Sequence, residues 1–200
     1  IFISDRNNHR VVVFNSLPAA HGAAADFVIG QANLTTLTTP GTDYSGNSYL
    51  NHPYSLSVSD NRLYLADADN HRVLVFDPVP TASNEKPDFV IGQSGPTGGT
   101  ANQGGATAAG TLNFPVSVTV GNGRLAIADQ TNNRVLFFSL PITGNGTAAT
   151  AVLGQSSFLG FGSGTSATEY WAPKALIFGN GTLWVADQFN HRIHIMALPY

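Results

Sequence analysis

Along this chain, apolar residues either alternate with polar ones or run in short stretches, and turn-forming residues interrupt them every few positions. That is the period of half-buried strands, and no segment carries the three-to-four-residue apolar spacing of an amphipathic helix. The most complete stretch predicts a strand over Tyr54–Val58, a tight turn at Ser59-Asp60-Asn61, and a second strand over Arg62–Ala66. A turn over Asp67–Asn70 leads to a third strand from His71 to Phe76, and a Pro-containing connection leads to a fourth from Asp88 to Gly92.

The same pattern returns along the chain. Ala66-Asp67-Ala68-Asp69-Asn70-His71-Arg72-Val73 has counterparts beginning at Ser4, Ala128 and Ala186. Sixty-two residues separate Asp5 from Asp67 and Asp67 from Asp129, and 58 separate Asp129 from Asp187. Gly30-Gln31, Gly92-Gln93 and Gly154-Gln155 keep the beat, as do Pro53, Pro115 and Pro173, so the shortening falls between Gln155 and Pro173. A long internal period means an array of supersecondary units, and loops absorb such a deletion most readily. Four antiparallel strands per unit predict an all-β fold, a β-propeller, because a twisted sheet apolar on both faces needs a neighbour on each side.

Pro-x-x-Leu-x-Val, a turn, and then Leu-Tyr-x-Ala-Asp-x-x-Asn-His-Arg-Val resembles the NHL repeat, with Arg where the Asn-His-Leu signature has Leu. The resemblance covers the chain in two complete and two partial units, near residues 1–31, 53–93, 115–155 and 173–200. It implies a propeller of about six blades in a bacterial NHL repeat-containing protein. Ile1-Phe2-Ile3 aligns with a second strand and His191–Met196 with a third, so the units sum to about 3.5 blades of the NHL type. The expectation is an excerpt of a larger ring; the competing one is that copies complete each other.

Composition narrows the partners. Apolar residues make up 42% of the chain and suffice for a core, whereas only 10% are charged, leaving a surface of Thr, Asn, Ser, Gly and Ala. With no cysteine, this suits an extracellular or cell-surface location in a bacterium. A net charge of −3 and arginines dispersed by the repeat argue against nucleic acid, which needs clustered cations, and no apolar run suggests membrane insertion.

The repeated polar residues first receive a structural interpretation. Asp5, Asp67, Asp129 and Asp187 are expected to accept hydrogen bonds from the turn that follows each of them. Asn8, Asn70, Asn132 and Asn190 are placed in a left-handed or otherwise tight conformation, and Arg10, Arg72, Arg134 and Arg192 are expected to pair with an Asp of their own or a neighbouring blade. The functional alternative is an Asp ring holding Ca²⁺ or another divalent cation in a central channel. The expectation adopted is no cofactor and no metal site.

His9, His71 and His191 share a turn position, His21 and His52 read as loop residues, and His194 stands where Val12, Leu74 and Leu136 are aliphatic. No cysteine, nucleophile elbow, zinc-protease pair or phosphate loop is present, so no catalytic residue is assigned. Variation concentrates in the connections from Ala32 to His52, Ser94 to Phe114 and Ser156 to Ala172. Their large side chains, Tyr44, Phe158, Phe161, Tyr170 and Trp171, form the expected binding rim for a protein or glycan. The resulting expectation is a non-enzymatic scaffold. Its alternatives are a metal-dependent lyase or hydrolase of the six-bladed class and a structural subunit that self-associates through open blade edges.

Overall fold

The structure is a computed structural model that describes residues 1–38, 41 and 49–197. Among the described residues fourteen strands form four sheets, and within each sheet every strand is antiparallel to the one it pairs with. The first blade holds β1 (Phe2–Asp5), β2 (Arg10–Val13) and β3 (Phe27–Ile29). The second holds β4 (Pro53–Ser59), β5 (Arg62–Asp67), β6 (Arg72–Phe76) and β7 (Phe89–Ile91). The third holds β8 (Pro115–Gly121), β9 (Arg124–Asp129), β10 (Arg134–Ser139) and β11 (Ala151–Leu153). The fourth holds β12 (Pro173–Gly179), β13 (Thr182–Asp187) and β14 (Arg192–Ala197). Each blade is a meander in chain order, and together the four make part of an open β-propeller.

Local chemistry sets the turns. Between the first and second strands of the later blades lie Asp60-Asn61, Asn122-Gly123 and Asn180-Gly181, every residue with φ between 49° and 75°. Two successive positive φ values make the hairpin that matches the right-handed strand twist, and Asn, Asp and Gly tolerate them best. Between the second and third strands lies one 3-10 turn per blade: Arg6–Asn8, Ala68–Asn70, Gln130–Asn132 and Gln188–Asn190. The left-handed residue is the one after each, His9, His71, Asn133 or His191, at φ 51–53°. Of the two conformations expected for the Asn, it takes the tight one, as the last residue of the 3-10 turn, and the left-handed one falls to the residue that follows.

Apolar side chains fill three seams rather than one centre. Val11, Val13 and Ile29 of the first blade meet Leu63, Leu65, Leu74 and Phe76 of the second. Tyr64, Val73, Val75 and Ile91 of the second meet Leu125, Ile127, Leu136 and Phe138 of the third. Ala126, Val135 and Phe137 of the third meet Leu176, Leu183 and Val185 of the fourth. Each sheet therefore gives one face to each neighbour, which is why both faces of these strands read as apolar.

Polar pairs bind the seams at fixed points. Ser117 Oγ accepts the Leu176 N–H at 3.0 Å, and Ser55 Oγ accepts the Val118 N–H at 3.2 Å. At the periphery a loop of the following blade closes the outermost strand. Val28 N–H donates to Ser83 Oγ and Val90 N–H to Asn145 Oδ1, while Asn84 and Gly146 donate back to the same strands. The edges of β3 and β7 are thereby withdrawn from strand addition.

Candidate functional site

The repeated Asp, Asn and Arg act as one bracket per blade. In the third blade Asp129 Oδ2 accepts from Asn132 Nδ2 at 2.8 Å and from Arg134 Nε at 2.7 Å. Its Oδ1 accepts the Asn113 N–H at 2.7 Å. Asp67 and Asp187 repeat this with the N–H groups of Asn51 and Trp171. The expected bond from the backbone amides of the following turn is not made, since none of these Asp side chains caps its 3-10 turn; the turn reaches the carboxylate through the side chain of its Asn. They anchor the residue two before the conserved-register proline instead.

The arginines pair within their own blade and tie its two flanking loops together. Arg134 donates to Ala108 and Thr111 carbonyls before the blade and to the Phe158 carbonyl after it. Arg72 does the same with Tyr49, Pro96 and Gly98. Gln93 Nε2 and Gln155 Nε2 then bond the turn carbonyls of His71 and Asn133 and a carbonyl of the loop that follows. Burial pushes the Asp67 and Asp129 carboxyls up in pKa, opposed by Arg72 and Arg134. For Asp187 burial pushes upward too, but hydrogen bonds from Trp171, Asn190 and Arg192 outweigh it and hold the group below the usual carboxylate value. Each carboxylate is turned into its own blade.

The left-handed residue joins neighbouring blades. His71 Nδ1 accepts the Phe114 N–H at 3.0 Å, His9 Nδ1 accepts the His52 N–H at 3.2 Å, and Asn133 Oδ1 accepts the Ala172 N–H at 2.8 Å. Accepting at Nδ1 requires a neutral imidazole with its proton on Nε2. Burial lowers the pKa of both His9 and His71. His52 is more than a loop residue: its ring lies 4.4 Å from that of His9, and its Nδ1 hydrogen-bonds Asp69.

On this face, where β4, β8 and β12 begin, a recess of about 430 Å³ opens between the second, third and fourth blades. Tyr54, Phe114, Trp171 and Phe189 supply its aromatic walls, and Gln130, Asn133, Gln188 and Lys174 its polar groups. Trp171 and Phe189 meet edge-to-face at 5.5 Å, and Tyr54 and Phe114 at 5.7 Å. Arg6 and Lys174 lie at 4.6 Å and 4.5 Å from the Tyr54 ring centre, within reach of its electron-rich π system. Gln130 Nε2 donates to Gln188 Oε1 across the recess at 3.2 Å. Trp171 is 44% exposed although its own N–H is fixed on Asp187, so the ring is displayed from an anchored backbone.

Several of these residues break the repeat. Trp171 stands where the other units have Asn51 and Asn113, Phe189 where they have Asn7, Asp69 and Thr131, and Lys174 where they have Tyr54 and Val116. A larger recess of about 580 Å³ at the opposite ends of the strands is walled by the hairpin turns at Asp60-Asn61 and Asn122-Gly123 and by the Arg62–Asp77 ion pair. Repeat geometry accounts for that one.

The expected rim residues divide. Trp171 lines the aromatic recess, while Phe161 lies with Leu159 in a separate one of about 530 Å³ beside Asn102 and Thr131. Phe158 packs partly buried against the seam of the second and third blades. Tyr170 is a correction: it is buried, because Gly154 has no Cβ and leaves a hole that the Tyr170 ring fills. Tyr44 lies outside the described residues. Tyr54, Phe114, Phe189, Gln130 and Gln188 were not anticipated, although the departure from repeat at residue 189 is visible in the sequence. Among the described residues no group of three or more His, Asp or Glu is placed to hold a metal.

Comparison with known proteins returns the motif already described. Residues 50–76 match the NHL repeat family, so the second blade is an NHL repeat. No curated protein matches the chain. Among solved structures, the glutaminyl cyclase of Myxococcus xanthus aligns with a TM-score of 0.40 and 12% identity, over 68% of this chain and 43% of its own. The PQQ-bound aldose sugar dehydrogenase of Streptomyces coelicolor aligns with a TM-score of 0.37 and 16% identity, over 82% and 46% respectively. The chain spans less than half the length of either protein.

Proposed function

We propose that this NHL propeller is a non-enzymatic binding scaffold at the cell surface or in the extracellular space, and that its ligand is an oligosaccharide held in the aromatic recess. The carrying observation is the lining itself: four aromatic rings alternate with primary amides and one ammonium. The CH faces of a sugar ring stack on aromatic faces, and its hydroxyls pair with amides that both donate and accept, as Gln130, Asn133 and Gln188 do. Lys174 and Arg6, both close to Tyr54, favour a sugar carrying a carboxylate. No carboxylate lines the recess to oppose it. Because Asp, Arg and Gln already fix the loops, little ordering remains to be done on binding. A surface poor in charge and a chain without cysteine fit the proposed location.

Titration with neutral and uronic-acid oligosaccharides, read by tryptophan fluorescence and calorimetry, tests this. Saturable binding is expected, with uronic acids preferred. Trp171→Ala should weaken it at least about tenfold, the loss of one buried stacking contact. Phe161→Ala, in the neighbouring recess, should leave it unchanged. Binding lost in Phe161→Ala and kept in Trp171→Ala would place the ligand elsewhere.

A further inference from the structure

His52, Phe114 and Ala172 stand immediately before the prolines that open β4, β8 and β12. All three have positive φ, at 50°, 59° and 53°. A residue before proline is driven toward extended backbone, and a side chain with a Cβ is costly in the left-handed region, so each holds a conformation that its surroundings must enforce. In each case one clamp is an acceptor contributed by the preceding blade: His9, His71 or Asn133. Of the three, only Phe114 is both a wall of the aromatic recess and held by a titratable clamp.

The Phe114 N–H donates to His71 Nδ1 at 3.0 Å, while Asn113 before it is fixed on Asp129 and Pro115 after it begins β8. The Phe114 ring meets Tyr54 and packs against the apolar seam of the third and fourth blades. One imidazole of the second blade thus bears on a surface shared by three. An imidazolium carries a proton on both nitrogens, so on charging, two donors face each other at this distance. Phe114 then loses the acceptor that offsets its left-handed backbone. Because its neighbours stay anchored, relaxation toward extended φ is confined to this residue, and what it moves is the ring. The charged groups around the imidazole are Asp69, bonded to His52, and Asp67, paired with the buried Arg72. Both carboxylates favour the imidazolium, but burial opposes it and prevails, so His71 is neutral at neutral pH and charges in acid.

We propose that protonation of His71 opens the aromatic recess by releasing Phe114, so that the site holds its oligosaccharide at neutral pH and lets it go in acid. The identity of the ligand rests on the reading given above; the opening of the recess does not. Proton and ligand then oppose each other, and by linkage the ligand lowers the proton affinity of His71 by the factor through which the proton lowers affinity for the ligand. The direction separates this device from plain electrostatics, under which an added positive charge strengthens the hold on a uronic acid. The neighbouring wall behaves differently: Ala172 is clamped by Asn133, which cannot be charged.

The test follows the 200-residue chain and His71→Asn from about pH 8 to about pH 5, by NMR without ligand and by calorimetric titration with an oligogalacturonate and a neutral galactose oligomer. Asn is the residue that the third blade has at this position, so the variant keeps an acceptor that does not titrate. Without ligand, the Phe114 amide and the Phe114 and Tyr54 ring signals should shift along the His71 titration in the unmodified chain and stay constant in His71→Asn, with the Ala172 amide constant in both. Affinity for both oligomers should fall at least about fivefold toward acid pH in the unmodified chain and stay level in the variant. Phe114 signals that ignore the His71 titration, or shifts that persist in His71→Asn, overturn the proposal. So does an affinity that holds or rises as His71 charges. Failure of either oligomer to bind at any pH, with the ligand-free shifts intact, instead refutes the oligosaccharide reading and leaves the opening of the recess standing.

Discussion

The third and fourth blades carry the same Asp-x-x-Asn-x-Arg sequence and the same bracket of hydrogen bonds, yet they differ in how far water reaches them. Asp129 and Arg134 are both shut away completely, whereas Arg192 of the otherwise equivalent pair is 30% exposed. Its guanidinium still reaches the carbonyls of Thr165, Ser166 and Glu169. The motif therefore fixes local geometry by itself, while the energetic weight of that geometry comes from the neighbour that covers it. A pair in a dry seam depends on its partner to balance a buried charge, and a pair at a wet margin can borrow solvent.

The largest break in that symmetry is expected at the arginines. Arg134→Met leaves the Asp129 carboxylate buried without its cation and frees three loop carbonyls, and should cost about 3–5 kcal/mol of unfolding free energy. Arg192→Met removes an equal number of contacts where water can replace them, and should cost about 1.5–3 kcal/mol. Urea denaturation of both variants checks the ratio. Equal losses would mean that the seam adds nothing to the bracket.

A smaller difference lies beneath the brackets. In the seam between the second and third blades, Leu112 sits under Gly92 and packs in one cluster with Leu136. In the next seam Tyr170 takes the place of Leu112 under Gly154, and His194 takes the place of Leu136. The two rings meet edge-to-face at 5.0 Å, so one departure from the repeat accommodates the other. Burial and the nearby Asp187 push the Tyr170 phenol up to about 12. His194 Nε2 is buried without a hydrogen bond, its nearest carboxylate being Asp187 Oδ2 at 3.5 Å. Replacing it by the aliphatic residue of the other units removes an unsatisfied polar atom. His194→Leu should therefore stabilise the chain by about 1 kcal/mol, at the low end of the cost of such a group. A destabilised variant in thermal or urea unfolding would show that the imidazole contributes to the seam.

These pairs also explain how far the sequence could be read. Strands, blade order and the Asp–Arg pairing follow from apolar alternation and a fixed interval, because both are local or repeated. Which residue of the tight turn is left-handed stayed open between the Asn and its neighbour, since a turn of unknown pitch cannot be counted from residue types alone, and it is the residue after the Asn. Tyr170 reads as a rim aromatic until Gly154, 16 residues earlier, is seen to leave the space it occupies. In the recess, Trp171, Phe189 and Lys174 each depart from the repeat, but Tyr54 and Phe114 belong to other blades. Only the stacking of sheets brings them together.

The subtlest contrast concerns protons. His71 and Asn133 occupy equivalent left-handed positions and accept equivalent N–H groups, from Phe114 and Ala172, so one seam is pinned by a titratable acceptor and the next by an inert one. Burial lowers the His71 pKa from 6.5, against the opposing pull of Asp69 and Asp67. A base whose folded pKa is depressed takes up protons more readily when unfolded. Its contribution is thus present above the unfolded value near 6.5, declines as pH falls below that, and is lost once pH passes the lower folded value. His71→Asn should flatten this acid-side decline by up to about 1 kcal/mol, or roughly 2–4 °C in Tm, with His9 supplying what remains. Asn133→His should install the same decline in the seam that lacked it, along with a fixed loss from the bond Asn133 Nδ2 donates to the Phe161 carbonyl. Melting curves from pH 8 to pH 5 compare the two. If His71→Asn leaves the acid slope unchanged, the hydrogen bond to Phe114 is not the acid-sensitive point of that seam.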